Sequence, residues 1–120
     1  MSENYKEKLK GLMDKYVNFV YNVTCDFPKE EIYGSAAQWR RASLSIILNY
    51  IEGYARKKSL VQLNFYEIAY GSFREAKYLL YFAHQRNFIN EQKFKRGLVL
   101  SEEIGKMIWT ELNSLEKSLK

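Results

Sequence analysis

The sequence of 120 residues contains one cysteine, Cys25, one histidine, His84, and one proline, Pro28. A single cysteine cannot form an internal disulfide, and one cysteine with one histidine cannot assemble a Cys/His metal site. Average usage would place about six prolines in a chain of this length, so the scarcity of this helix breaker favours helices. No stretch approaches the roughly 18 uncharged apolar residues of a membrane span, and the N-terminus lacks an apolar signal region. We therefore expect a soluble, cytoplasmic, helical protein without metal, cofactor or membrane contact.

The composition is otherwise that of a globular protein. Hydrophobic residues make up 47% of the sequence and charged residues 28%, so neither a disordered tail nor a fibrous repeat fits. No internal repeat, low-complexity tract or Gly/Ser linker interrupts the pattern. We therefore predict one domain over residues 1–120.

The spacing of the apolar residues predicts four helices. From Tyr5 to Val23, apolar side chains alternate steps of three and four residues, the pattern of a helix packed on its neighbours at a shallow angle. The predicted helices cover about residues 3–25, 35–57, 59–86 and 91–120. Their connections are too short for anything except antiparallel neighbours. The predicted fold class is all-α, an up-down-up-down four-helix bundle.

Capping patterns predict where three of these helices begin. Ser35-x-x-Gln38 and Ser59-x-x-Gln62 are capping boxes, in which a serine hydroxyl and a glutamine side chain satisfy free backbone N–H groups at a helix start. Asn90 is a favourable N-cap for the last helix.

Aromatic residues are more numerous than one small core needs, with ten tyrosines and seven phenylalanines. Helices two and three carry large side chains beyond a single apolar stripe: Trp39, Ile46, Ile47, Leu48, Tyr50, Ile51 and Tyr54, then Phe65, Tyr66, Tyr70, Phe73, Tyr78, Tyr81 and Phe82. Tyrosine and tryptophan are enriched at protein interfaces. We infer a homo-oligomer formed through helices two and three; the alternative is a monomer with half-exposed tyrosines at its rim.

A polar stripe follows one face of helix two at steps of three and four residues, formed by Gln38, Arg41, Ser45, Asn49, Glu52 and Arg56. The stripe is either the solvated face of the helix or a contact with another chain. We expect Asn49 and Glu52 to be paired at a buried contact, because buried polar groups require partners. Gly53 and the Gly71-Ser72 pair lie inside helices, where close approach of a neighbouring backbone can justify the cost of glycine.

Positive charge is concentrated in residues 36–60, where five basic residues and one acidic residue give +4 of the total formal charge of +5. The five are Arg40, Arg41, Arg56, Lys57 and Lys58. Such a concentration is typical of a phosphate-binding surface, although these residues could equally interact with helix dipoles or aid solubility.

No catalytic constellation is recognisable. The six glycines are dispersed and form no phosphate-binding loop, and a lone histidine cannot build a Glu-x-x-His di-metal site. Cys25 is followed by the acidic Asp26, an unfavourable neighbour for a catalytic nucleophile. We expect a binding protein and not an enzyme.

Several short motifs together resemble a known family. They are Phe27–Gly34 (FPKEEIYG), Gln38-x-Arg40-Arg41-Ala42, Ser45-Ile46, Asn49, Glu52-Gly53, Ala69-x-Gly71-Ser72 and Glu75. This pattern, over about residues 5–115, is similar to the four-helix-bundle proteins encoded in 23S rRNA intervening sequences. The family's usual SIPSNIAEG segment is altered here at Ile47, Leu48, Tyr50 and Ile51, which makes helix two bulkier.

The resemblance implies a four-helix bundle that assembles as a ring-shaped pentamer. A distant relative, the accessory variability protein of diversity-generating retroelements, is basic and pentameric and binds nucleic acid and a reverse transcriptase. A homo-oligomer that contacts nucleic acid, or a nucleic-acid-processing protein, is therefore the expectation that the resemblance adds.

Two functions follow from these observations. The first is binding of structured RNA or DNA through Arg40, Arg41, Arg56, Lys57 and Lys58, with the remaining motif residues (Gln38, Ser45, Asn49, Glu52, Gly53, Gly71, Ser72, Glu75) at an interface. The alternative is a protein-interaction scaffold with no direct nucleic-acid contact. The sequence has no obvious exposed base-stacking motif, which favours recognition by shape and charge.

Overall fold

The structure, a computed structural model, describes residues 2–120 and contains four α-helices over that range. The helices are α1 (Glu3–Thr24), α2 (Ser35–Tyr54), α3 (Ser59–Gln85) and α4 (Glu91–Ser118). A short 3-10 turn, Lys29–Glu31, lies between α1 and α2. No β-strand occurs among residues 2–120. The all-α prediction is confirmed.

The helices pack as an antiparallel bundle in which α2 and α3 form the most extensive pair. The start of α1 lies beside the last part of α4, where the Tyr5 hydroxyl donates to the carbonyl of Met107 at 2.8 Å. The end of α1 lies beside the start of α2, where Arg40 Nε donates to Thr24 Oγ1 at 2.7 Å. At 1.5 Å per residue, α4 alone accounts for about 42 Å of the 47 Å long axis.

One hydrophobic core runs along the bundle, and it absorbs many of the aromatic side chains that the sequence suggested were surplus. Trp39 is fully buried, and its Nε1 donates to the Tyr16 hydroxyl at 3.1 Å. Of the large side chains that the sequence placed around α2 and α3, Trp39, Ile46, Tyr50, Tyr66 and Phe73 are buried in this core. They fit because each of these helices turns a broad face inward and tyrosine hydroxyls find partners there. Leu48, Ile51, Tyr78 and Tyr81 remain exposed.

The two predicted capping boxes are wrong. Ser35 and Ser59 are the first residues inside their helices, and the N-cap positions belong to Gly34 and Lys58, without a side-chain cap. A residue already inside the helix cannot place its hydroxyl to accept the N–H groups that an N-cap satisfies. The Ser35 hydroxyl instead donates to Glu31 Oε1 at 2.5 Å.

The other helix ends follow local hydrogen bonding. Asn90 caps α4 as predicted, accepting from the backbone N–H of Lys93 at 2.8 Å. Helix α2 ends at Tyr54, three residues before the predicted end, because the Gly53 carbonyl accepts from Arg56 N–H at 3.1 Å in a tighter turn. Gln62 Nε2 donates to the same carbonyl at 3.1 Å and ties the start of α3 to this turn.

No helix of residues 2–120 is long and apolar enough to cross a bilayer. The same part of the chain has no group of three or more histidine, cysteine, aspartate or glutamate side chains that could hold a metal ion.

Candidate nucleic-acid interface

The five basic residues of the predicted nucleic-acid surface lie in two groups. Arg40 and Arg41 are in the first turns of α2, whereas Arg56, Lys57 and Lys58 follow its last residue. Arg40 and Arg41 precede Arg56 by 16 and 15 residues, most of them helical, which corresponds to a distance of about 24 Å. The single chain therefore presents two basic sites at opposite ends of the bundle instead of one patch.

Arg40 is directed toward α1. Besides its bond to Thr24, its guanidinium donates to the carbonyl of Tyr21 at 3.4 Å and lies 4.7 Å from the centre of the Tyr21 ring. A cation at the C-terminus of a helix is stabilised by the helix dipole and by the last free carbonyls. These contacts give Arg40 a structural task at the α1–α2 junction.

Arg41 faces α3. Its guanidinium donates to Gln38 and lies 4.0 Å from the Glu75 carboxylate. The side chain is largely exposed, so this ion pair is weak and leaves the arginine available to a stronger anion.

The second basic group surrounds the connection between α2 and α3. Arg56 pairs with Glu52 one turn earlier, and its guanidinium lies 5.1 Å from the centre of the Phe65 ring. Lys57 and Lys58 are exposed, and no ion pair involves either of them among residues 2–120. This connection is the least neutralised part of the predicted surface.

The motif residues of the two central helices meet between those basic groups. Ser45 Oγ and Ser72 Oγ are 2.7 Å apart, and Asn49 Nδ2 donates to the Ser45 carbonyl at 2.9 Å and to Ser45 Oγ at 3.0 Å. The Arg41–Glu75 pair lies one turn earlier along α2. Together with these contacts it forms a polar seam between α2 and α3, made of Gln38, Arg41, Ser45, Asn49, Ser72 and Glu75. The sequence singled out all six residues, Ser72 and Glu75 among the family motif residues, but suggested that their contacts are made with another chain.

Glu52 lies outside the polar seam. Its carboxylate is exposed and pairs with Arg56 on its own helix. Burial of Glu52 at a contact stays a prediction about an assembly of several chains.

The two glycines that the sequence singled out differ in their surroundings. A Cβ on Gly53 would lie 2.8 Å from the Tyr66 ring and 3.0 Å from Phe65 Cβ, so the backbone of α2 does approach α3 closely there. A Cβ on Gly71 would have no atom within 4 Å. The predicted close approach is therefore correct at Gly53 and is not made within the chain at Gly71.

Aliphatic side chains flank the polar seam and are left uncovered. Leu48 is 56% exposed, and Ile51 and Ile68 are also exposed. Because α2 and α3 are antiparallel and Ser45 contacts Ser72, the residue one turn after Ser45, Asn49, lies at the same height along the bundle as the residue one turn before Ser72, Ile68. The three side chains therefore belong to one outer region of the α2–α3 pair. Exposed apolar clusters of this kind mark interaction sites.

A buried polar network that the sequence did not predict lies at the end of the bundle that contains the α2–α3 connection. Glu111 is only 3% exposed, and its carboxylate forms an ion pair with Lys6 and accepts a 2.6 Å hydrogen bond from the Tyr50 hydroxyl. Lys6 Nζ also donates to the Tyr66 hydroxyl at 3.2 Å. Burial and the nearby Glu111 charge raise the pKa of both tyrosines well above the ordinary value.

A signal for this network was present in the sequence. Glu111 follows Ile108 by three residues and precedes Leu115 by four, so it occupies a position of the apolar stripe of α4. A charged residue at such a position predicts a buried, paired group. Its partners come from three other helices and could not be read from this spacing.

The architecture and the polar seam define a small four-helix-bundle protein with an outward-facing surface on α2 and α3. Residues 10–110 match the sequence profile of the 23S rRNA-intervening sequence protein family, so the chain belongs to this family. Its fold is similar to that of a Bacteroides thetaiotaomicron protein, described as of unknown function and from the S23 ribosomal protein family. The TM-score is 0.80 at 18% identity, over 87% of this chain and 97% of that one. No curated protein has significant sequence similarity to the chain.

Proposed function

We propose that this protein is a non-enzymatic, cytoplasmic homo-oligomer, a ring-shaped pentamer, that binds structured RNA or DNA through basic residues of α2 and the α2–α3 connection. The observation that carries the proposal is the local charge: residues 36–60 hold +4 of the total +5, and Lys57 and Lys58 are exposed without an acidic partner among residues 2–120. Exposed cations of this kind neutralise phosphates and release counterions.

Assembly is supported by the uncovered surface of the α2–α3 pair. Leu48, Ile51 and Ile68 are large apolar side chains that are exposed to solvent in the single chain. A Cβ at Gly71 would meet no atom within 4 Å, so the backbone of a second chain has room to approach there. An interface over this surface would repeat the two basic groups of each protomer around an axis, because both groups lie at the ends of α2. A ring multiplies a modest charge into a continuous field that one chain cannot provide.

The experiment compares binding of a labelled RNA hairpin and a DNA duplex at increasing salt, with the oligomeric state measured by light scattering. We expect the parent protein to bind at about 50 mM salt, with affinity falling on a log–log slope of about −0.7 to −0.9 per phosphate neutralised. Replacing Arg56, Lys57 and Lys58 by alanine should make the slope shallower by about two to three units.

The matched control removes the same charge from α1 and α4, away from both basic groups. Alanine at Lys8, Lys15 and Arg96, which are exposed, leaves the basic residues of α2 and of the α2–α3 connection intact and should change the salt dependence much less. Absence of binding at about 50 mM salt, or an equal effect of both triple variants, would contradict the proposal.

The exposed aliphatic surface favours a second candidate, a scaffold that presents α2 and α3 to a nucleic-acid-processing protein. A protein partner captured equally well after nuclease treatment, and lost on Leu48→Glu substitution, would support the scaffold. Capture that nuclease abolishes would support the nucleic-acid proposal.

A further inference from the structure

The face of α3 that is turned toward α4 carries exposed aromatic rings beside cations. Tyr70 and Trp109 pack with their ring centres 5.4 Å apart, and Trp109 remains 51% exposed. Two turns further along α3, Tyr78 is 65% exposed. Tyr70, Arg74 and Tyr78 follow one another at steps of four residues, so they lie on one face, and the tyrosines are about 12 Å apart.

Two adjoining depressions of about 290 and 480 Å³ connect these rings and share Tyr70, Phe73 and Lys77 among their lining residues. The buried Phe73 ring lies against α4 at Gly105, where an added Cβ would be 2.5 Å from the ring. Glycine at this position therefore lets the α3 and α4 surfaces meet at the depressions. We call the combined surface the aromatic groove, defined by Tyr70, Arg74, Lys77, Tyr78, Lys106 and Trp109.

The charge of the aromatic groove is positive. Its lining contains three cations, Arg74, Lys77 and Lys106, and one carboxylate, Glu102, which gives a net charge of +2. Glu102 pairs with Lys77 at 3.0 Å, whereas Arg74 and Lys106 are exposed and take part in no ion pair among residues 2–120. Two cations are thus free beside two ring platforms.

We propose that the aromatic groove binds single-stranded nucleic acid, with unpaired bases stacked on Trp109 and Tyr78 and the intervening phosphates held by Arg74 and Lys106. Exposed rings alternating with cations are the combination by which proteins hold single strands without reading sequence. Bases in a duplex are already stacked and paired, so the groove distinguishes unpaired from paired segments. The proposal rests on the proposed nucleic-acid-binding function and assigns it a second, separate surface.

The groove and the α2–α3 surface can be occupied together. Residues of α3 that contact α2, such as Phe65 and Ser72, lie on a different side from those that contact α4, such as Tyr70 and Lys77. A folded RNA with a stem and a loop can therefore place its stem near the basic ends of α2 and its unpaired bases in the groove.

The test measures affinities for a labelled 12-nucleotide oligouridylate and for a blunt-ended RNA duplex, which has no unpaired bases, using the assembled protein. Trp109→Ala and Tyr78→Ala should each weaken single-strand binding by roughly 5- to 150-fold and leave duplex binding unchanged. Replacing Arg74 and Lys106 by alanine together should make the single-strand salt slope shallower by about 1.4. Tyr33→Ala removes a fully exposed tyrosine outside the groove and is the matched control.

Fluorescence gives a readout that a structural role would not move. Trp39 is fully buried and Trp109 is exposed, so quenching on addition of oligouridylate reports Trp109, and Trp109→Phe should abolish the quenching but retain binding. Equal loss of single-strand and duplex binding, no loss in either variant, or dissociation of the oligomer by Trp109→Ala would overturn the proposal. The last outcome would identify the groove as a contact between copies of this chain. Failure of the parent to bind any nucleic acid would overturn the proposed function as well.

Discussion

The two tryptophans of this chain lie in different environments, Trp39 in the core and Trp109 on the outer surface. Trp39 is fully buried, and its indole N–H donates to the Tyr16 hydroxyl. Trp109 lies half outside, packed on Tyr70 with Lys106 nearby. In the core, the polar atom of the Trp39 side chain is paired. On the surface, the Trp109 ring is partly exposed beside a cation and is available to a partner. The comparison separates aromatic residues that stabilise the bundle from those that are free to bind a partner.

The largest expected effect is at Trp39. Replacement by alanine removes a fully buried ring from the core and should lower the free energy of unfolding by about 3–5 kcal/mol. Trp109→Ala loses one partly exposed aromatic pair, worth about 1 kcal/mol. Urea unfolding of both variants measures the difference. Equal losses would show that Trp109 belongs to the core.

The second contrast is between a buried and an exposed glutamate. Glu111→Ala leaves Tyr50 and Lys6 without their shared acceptor and should cost about 2–4 kcal/mol. A double-mutant cycle with Lys6→Met measures how much of the loss is coupling between the two charges. We expect coupling above about 1 kcal/mol; additive losses would mean that the ion pair contributes nothing beyond its separate parts.

Glycine allows the same comparison. Gly53→Ala drives a Cβ into the Tyr66 ring and should destabilise the protein by about 1–3 kcal/mol. Gly71→Ala meets open space in a helix and should stabilise a single chain by about 0.5–1 kcal/mol. Thermal melts at low concentration measure both. In the assembled protein, Gly71→Ala should weaken association if a neighbouring chain packs there, which light scattering would detect.

The helices were largely predictable because their apolar spacing is regular. The predicted first helix, 3–25, ends one residue beyond the observed end at Thr24. The capping boxes failed for a physical reason. Spacing alone cannot tell whether Ser35 precedes the first helical residue or is that residue, and the Glu31 carboxylate, presented by the preceding turn, bonds the Ser35 hydroxyl.

For each candidate surface, the sequence shows which residues share a face of one helix, but not which residues of the neighbouring helix they contact. The α2 side of the polar seam follows from steps of three and four residues, but its partners Ser72 and Glu75 depend on how far α3 slides along α2. Apolar periodicity permits several such registers. The aromatic groove combines residues from α3 and α4, and the rings of Tyr66 and Tyr78 cannot be assigned to core or surface before the helix rotation is known.

The buried tyrosines make the stability of the protein depend on pH in the alkaline range. Burial and the Glu111 carboxylate raise the pKa of Tyr50 in the folded protein. Above about pH 10 the unfolded chain therefore loses this proton while the folded chain keeps it, so stability falls as pH rises, by up to about 1.4 kcal/mol per pH unit for each such tyrosine. Below about pH 10 the contribution is complete. Tyr50→Phe should make this decline shallower, which urea unfolding at a series of pH values between about 8 and 11 measures. Identical pH profiles for parent and Tyr50→Phe would contradict the assignment.

The smallest expected effects are at Asn49 and Glu52, and they test whether assembly buries the outer face of α2. In a single chain, Asn49→Ala loses two bonds to Ser45 and should cost about 1 kcal/mol, whereas Glu52→Ala loses an exposed ion pair and should cost no more than about 0.5 kcal/mol. If assembly buries this surface, an unpaired partner raises each cost to about 1–3 kcal/mol. Melts of both variants at dilute and at assembling concentrations measure the increase, which we expect for both. Melts indistinguishable from the parent, with the oligomer intact, would mean that this face stays solvated and that the chains associate elsewhere.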